Sequence, residues 1–438
     1  MSGVHRRTFL ASAGSGMAAL ALGGGSRAAG PNDRINLAVI GFRGRGKSHI
    51  EAFTRDKRSA VVTHCDVDSR QFDEAAAGVE KASGSRPATV QDLRRVLDDK
   101  AIDAVSIATP NHWHALATVW ACQAGKDVYV EKPVSHDFAE GRAMVEAARK
   151  HDRIVQAGTQ NRSIAGVAEA VAALRSGVIG EVFLAKGLCY KPRGSIGHRD
   201  DSAVPAGVDY NLWLGPATDR PFNANRFHYE WHWNWDYGNG DLGNQGIHQM
   251  DVARWGLGQA DWPTTIASSG GRYGYKDDGE TPNTQVCSYR YPDAELVFEV
   301  RGLPTNGEQG ITIGNIFYGT KGYLTINGSK WATYLGEPAA KAYQPGPKGE
   351  GPTPEQAHFA NFLDAVVARD PKKLHAEVLE GHRSSALCHL GNIAYRTGRT
   401  LAFDPKTETF PKDPQATGLL GRAGRAPFTI GSTPSAGV

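Results

Sequence analysis

The run Ile35-Asn36-Leu37-Ala38-Val39-Ile40 goes straight into Gly41-Phe42-Arg43-Gly44-Arg45-Gly46. A short, almost wholly apolar run that ends in clustered glycines predicts a strand buried on both faces, then a tight turn into a helix. Gly41 allows the sharp exit from the strand. Gly44 and Gly46 let backbone N–H groups and a helix N-terminus approach an anion such as a pyrophosphate. Arg43 stands where the usual pattern has its middle glycine; it can line phosphates while narrowing the approach. Residues 59–65 form the expected second strand, and Asp66 follows it about 20 residues past the last glycine, where a carboxylate can accept a hydrogen bond from an adenosine ribose. Together these features predict a dinucleotide site for NAD, with NADP possible.

The pattern after this turn alternates strand and helix, which predicts a doubly wound parallel sheet over 31–160. Residues 104–108, 127–130 and 154–158 are its later strands, and 90–98, 114–124 and 139–150 are helices. Beyond residue 160 the apolar residues alternate, at 181–190, 263–273, 285–291, 295–301 and 311–318. Such runs predict an α+β domain with a large, mostly antiparallel open sheet over 161–410, its strands lying together without intervening helices. The Gly/Pro/Lys-rich stretch 336–354 reads as a surface loop, 358–369 and 379–397 as helices, 411–438 as a C-terminal arm and tail, and 431–438 as disordered.

With 49 Lys+Arg against 46 Asp+Glu, evenly scattered, the chain lacks a nucleic-acid footprint or a membrane-surface patch. The five cysteines are odd in number and widely spaced, which argues against disulfide stapling, a zinc knuckle or a redox couple. Residues 1–30 read as addressing: the pair Arg6-Arg7, the apolar Phe9-Leu10, a Gly/Ala-rich stretch and then Ser26-Arg27-Ala28-Ala29 resemble a twin-arginine signal. The expected mature protein is therefore periplasmic or otherwise exported, without a membrane anchor.

The chemistry concentrates at two strand ends. Thr109-Pro110-Asn111-His112-Trp113-His114 follows one and Glu131-Lys132-Pro133 the next, both at the carboxyl edge where open α/β sheets bind ligands. A lysine fixed and partly desolvated there has a lowered pKa, suited to moving a hydroxyl proton, although spacing alone leaves open a surface lysine at a turn. Farther on, the run from Phe227 to Tyr237 is dense in aromatics and histidine, able to stack on sugar rings or to fill a domain seam. His228 and His232 are four apart, but no third ligand accompanies them, so no metal is expected.

These motifs, with Val155-Gln156-Ala157-Gly158-Thr159-Gln160 and the segment 240–251, resemble the Gfo/Idh/MocA oxidoreductase family. The resemblance covers nearly all of the chain after the signal. It implies that Lys132 is the catalytic acid/base, with Glu131 beside the cofactor ribose and Thr109, Asn111 and His114 near the cofactor. His248 matches the family's substrate-facing histidine and Asp251 its closing acid, but the first acid of that signature is here Asn244. An amide cannot relay a proton, so Asp241 is the candidate substitute. Arg162, Lys191, Trp213, His232, Trp235 and Tyr237 are further candidates for the substrate pocket. The resemblance also implies a carbohydrate substrate and a homodimer or homotetramer. Three functions follow: hydride transfer on a sugar, sugar alcohol or glycoside with a tightly held cofactor, redox-assisted glycoside hydrolysis, or sugar binding without catalysis.

Overall fold

The computed structural model describes residues 34–337, 344–351 and 355–432. The signal-like segment 1–30 and residues 433–438 lie outside the described residues. Among the described residues, no helix is long and apolar enough to cross a membrane.

Strands β1 (Ile35–Ile40), β2 (Ser59–Cys65), β3 (Ala88–Val90), β4 (Ala104–Ile107), β5 (Asp127–Val130) and β6 (Val155–Ala157) form one parallel sheet in the order β3-β2-β1-β4-β5-β6. The sequence of β1 explains its place: Ala38 and Ile40 enter the core on one face, Ile35, Leu37 and Val39 that on the other. The helix at Asn111–Gln123 covers the first face. It starts three residues earlier than its apolar pattern suggests, because Pro110 supplies an extended entry.

The second sheet contains β7 (Val182–Cys189), β8 (Thr265–Gly271), β9 (Thr284–Arg290), β10 (Glu295–Arg301), β11 (Ile313–Gly319), β12 (Gly322–Asn327), β13 (Lys330–Leu335), β14 (Gln344–Glu350) and β15 (Leu401–Ala402). Their order is β14-β13-β12-β11-β7-β10-β9-β8-β15. Every pair is antiparallel except β7 with β10. Two expectations fail here. Residues 344–350, read as loop, pair with β13 as an edge strand, the position that tolerates prolines such as Pro345 and Pro347. Between β7 and β8 the chain also leaves the sheet to build the helices at Tyr210–Leu214, Gly240–Asn244 and Gly246–Leu257.

The two domains share material. The helix at Glu355–Ala368 returns to the first sheet, where Phe359, Phe362 and Val366 pack with Phe53 and Tyr129. In the C-terminal arm, Phe428 packs against both Trp113 and Trp120, which also touch each other. A third contact is a main-chain seam: Ser69 N donates to Gly207 O and Asp209 N to Val67 O, both at 2.9 Å, and Asp68 bridges Val208.

Candidate active site

A cleft of about 470 Å³ opens at the carboxyl ends of β1, β2, β4 and β5, where the strand order reverses. Gly41, Arg43, Gly44, Arg45, Asp66, Thr109, Asn111, His114, Glu131 and Lys132 line it from the first domain, and Trp213, Tyr229, His232, Asn244 and His248 from the second.

The glycine turn is fixed by close approach. Gly41 has φ +78°, and a Cβ there would meet Thr109 N at 2.9 Å. Gly46 does not line the cleft; a Cβ on it would fall 2.1 Å from Gly41 O, so its smallness lets the helix Gly46–Arg55 seat against the turn. Gly44 is different, because a Cβ there meets no protein atom within 4 Å. The Asp66 carboxylate accepts from Phe42 N and Asp68 N, each at 3.0 Å, which binds the turn to the end of β2.

Glu131 is the electrostatic hub. Its Oε1 accepts from Arg45 Nε at 3.0 Å and Gln160 Nε2 at 2.9 Å and lies 3.1 Å from His49 Nε2. Burial would raise its pKa, but Arg45 and His49 hold it well below the usual carboxylate range. Arg45 also pairs with Glu355. Both ring nitrogens of His114 lie 2.7 Å from backbone carbonyls, those of Pro133 and Thr109, so this side chain braces the two loops. Asn111 Nδ2 donates to Asn239 Oδ1 at 2.9 Å.

Lys132 precedes a cis proline. Its Nζ donates to the backbone carbonyl of Asn244 at 2.7 Å. Burial, aided by the charges of Arg45 and Lys191, lowers its pKa against the opposing pull of Glu131 and Asp241. His248, in the helix Gly246–Leu257, lines the same cleft, and its Nδ1 is buried without a hydrogen-bond partner. Burial and the Lys132 charge push its pKa down to about 3, so the ring is neutral.

Several sequence candidates lie elsewhere. Asp241 is buried behind the cleft, gripped by Arg193 Nη2 at 2.6 Å and Nε at 2.8 Å, and does not replace the missing acid at 244. Arg162 is also internal; it binds Asp251 through Nε at 2.8 Å and reaches Glu380 at 3.2 Å. Lys191 Nζ lies 3.4 Å from Gln245 Oε1, off the lining. Trp235 sits under the Arg396 guanidinium, and Tyr237 is packed against Trp213 and His112. His228 and His232 share no helix face, because His228 has φ +49° and His232 belongs to the 3₁₀ turn Glu230–Trp233. Sequence reasoning missed His49, Gln160 as a Glu131 partner, Arg193 and Tyr229. Gln160 and Tyr229 fell inside motifs already noticed, but His49 and Arg193 carried no local signal.

Together the 3-2-1-4-5-6 sheet, its glycine turn and the cleft above it define a two-domain protein built on a dinucleotide-binding Rossmann unit. The chain belongs to the Gfo/Idh/MocA oxidoreductase family: the NAD-binding Rossmann fold of that family matches residues 35–159, and its C-terminal alpha/beta domain matches 190–293 and 348–430, together more than half of the chain. It is similar to glycosyl hydrolase family 109 protein 1 of Shewanella sp. (strain ANA-3), 31% identical over 174 residues, which is 34% of this chain and 38% of that protein. It is also similar to the levoglucosan dehydrogenase of Pseudarthrobacter phenanthrenivorans, 29% identical over 157 residues, 35% of this chain and 40% of that protein. Each match thus spans well under two thirds of the relative. Among solved structures, the aldose-aldose oxidoreductase of Caulobacter crescentus complexed with glycerol shares the fold, with a TM-score of 0.63 at 19% identity over 85% of this chain and 100% of that one.

Proposed function

We propose that the protein is an exported NAD-dependent oxidoreductase that removes hydride from a carbinol carbon of a sugar, sugar alcohol or glycoside while keeping its cofactor. The observation that carries this reading is convergence: the glycine turn, the Lys132 amine and the neutral His248 imidazole line one cleft. The residues fit a dinucleotide, since the open side of Gly44 leaves room for a pyrophosphate and Thr109 Oγ1 is buried without a partner. In this reading Gly41, Arg43, Gly44, Arg45 and Asp66 hold the cofactor together with Thr109, Asn111 and Glu131. NAD, when bound, supplies the hydride acceptor. Lys132 Nζ takes the hydroxyl proton as the C–H bond breaks, and His248 holds the substrate oxygen. Levoglucosan dehydrogenase and aldose-aldose oxidoreductase among the similar proteins support a carbohydrate substrate.

Two features support a retained cofactor. The seam from Val67 and Ser69 to Gly207 and Asp209 runs beside Asp66, and His228, 3.8 Å from Asp68, carries the cleft lining on from it. The twin-arginine-like leader would carry a folded, loaded protein across a membrane, beyond any expected pool of NAD(H), so one substrate reduces the nicotinamide and a second reoxidises it. Self-association as a homodimer or homotetramer, through the face of the second sheet opposite its helix-covered side, belongs to the same proposal. Purification without added cofactor, followed by a sugar panel watched at the reduced-nicotinamide band, tests the reading. Sugar-dependent absorbance in protein that was never supplied with NAD supports it; protein that arrives empty and exchanges NAD freely refutes retention.

The similarity to glycosyl hydrolase family 109 favours one second reading, in which transient oxidation cleaves a glycoside. Release of phenol from an aryl glycoside without net cofactor reduction would distinguish it.

A further inference from the structure

Tyr229 and His232 stand on one short turn at the second-domain wall of the cleft, their rings 4.7 Å apart. Their hydrogen-bonding polarity is set by the protein. Tyr229 Oη accepts from Arg193 Nη1 at 3.1 Å and from Asn244 Nδ2 at 3.3 Å. A guanidinium can only donate. Arg193 is itself held on two sides, by its paired contacts to Asp241 and by the Trp233 ring 5.2 Å away. With two N–H groups directed at its oxygen, the phenol hydrogen turns away from both, and Tyr229, half exposed along the cleft, offers a donor.

His232 has the opposite polarity. Its Nδ1 lies 2.6 Å from the backbone carbonyl of Tyr229. A carbonyl only accepts, so Nδ1 carries the ring hydrogen and Nε2 carries the lone pair. Among the described residues Nε2 has no hydrogen-bond partner. Burial, helped by the charges of Lys132 and Arg193, keeps the ring neutral, with its pKa down to about 3. The Trp231 ring, stacked on His232 at 3.6 Å, fixes its plane.

We propose that Tyr229 and His232 form a donor–acceptor pair that reads two neighbouring hydroxyls of the substrate, with Arg193 and Asn244 as positioning residues for the phenol. Tyr229 donates to the oxygen of one hydroxyl and His232 Nε2 accepts from the next. This assigns a substrate class, a polyol with vicinal hydroxyls beside the carbon that faces Lys132, and it rests on the hydride-transfer reading. It also gives the amide at position 244 a purpose. A carboxylate there would capture the phenol hydrogen, whereas the amide leaves that hydrogen to the substrate.

The test uses the full-length protein as purified with its nicotinamide. Glucose, galactose, mannose and myo-inositol are compared for reduction of the bound cofactor, and the fastest is then compared with its monodeoxy analogues in wild type, Tyr229→Phe, His232→Asn and Asn244→Asp. Loss of one hydroxyl costs wild type about tenfold in kcat/KM. Tyr229→Phe and Asn244→Asp cost the parent sugar a similar factor but leave that one analogue nearly unaffected, and His232→Asn does the same for the adjacent position. Equal losses for every analogue, or none, would overturn the pair. Independently of turnover, ¹⁵N-histidine spectra show the resonance missing from His232→Asn with a protonated Nδ1 and a bare Nε2; a protonated Nε2 overturns the acceptor. If no sugar reduces the wild-type cofactor, hydride transfer fails while the spectra still decide the polarity of His232.

Discussion

Lys132 Nζ donates to the main-chain carbonyl of Asn244 at 2.7 Å, so the amine of the first domain is tied to the backbone of the second. A neutral amine keeps this bond, because it still has N–H groups to donate, and its lone pair remains available for a proton. The contact therefore aims the amine without consuming its basicity.

Replacing Lys132 with Met removes the proposed proton acceptor and leaves the glycine turn intact. Cofactor content after purification is expected to match wild type, while sugar-dependent reduction falls by about 10²–10⁴-fold. Asn244→Ala retains the carbonyl and is expected to lose far less. Nicotinamide content and single-turnover absorbance measure both.

The depressed pKa of Lys132 comes from burial, reinforced by the neighbouring charges of Arg45 and Lys191. With the unprotonated amine as the proposed base, kcat/KM for oxidation is expected to rise with pH along a limb that lies below the ordinary lysine value of 10.5. Lys191→Met removes a like charge and moves that limb to higher pH. A pH–rate profile in which Lys191→Met leaves the limb in place, or moves it down, contradicts this electrostatic account.

His112, His382 and His389 are buried, and burial pushes each pKa down to about 3 from the ordinary 6.5. The unfolded chain takes up protons below pH 6.5 that the folded protein refuses until near pH 3. Their stabilisation is complete above the unfolded value and is lost as pH falls, at up to roughly 1.4 kcal/mol per group for each pH unit. Melting temperature should drop steadily from pH 6.5 towards 4, and His389→Gln should flatten the slope.

Gly44 and Gly46 separate ligand from fold. Gly44→Ala is expected to melt like wild type when stripped of cofactor but to retain NAD poorly, because its added methyl meets only space meant for the ligand. Gly46→Ala collides with Gly41 O and destabilises the apo protein as well. Thermal melts of stripped protein and NAD titration distinguish the two.

Arg162 holds a buried carboxylate, so Arg162→Met is expected to cost about 3–5 kcal/mol of stability by leaving Asp251 unpaired. Its KM for sugar should stay near wild type in whatever fraction folds. A normal melt with a raised KM would return Arg162 to the substrate pocket.

What could be read from sequence follows the range of the interactions. β1, β2 and β5 have the bounds expected of them, since each is a local apolar run stopped by glycine or an acid. Lys132 and His248 were marked by short motifs, and the fold brings both to one cleft. The roles of Asp241 and Arg162 were hidden because Arg193 and Asp251, the partners that occupy them, are set by tertiary packing. β14 was hidden for a related reason: its composition is that of a loop, and only the ladder with β13 makes it a strand.

The position of β7 bears on how the molecule assembles. Its neighbours β10 and β11 both lie more than a hundred residues downstream, whereas each ladder of the first sheet closes over a much shorter span. Loop-closure entropy makes such distant pairings slow. The ladders of the first sheet are therefore expected to form before those of the second, with the helix Glu355–Ala368 sealing the first core late, an order that pulsed hydrogen exchange during refolding with and without NAD would reveal.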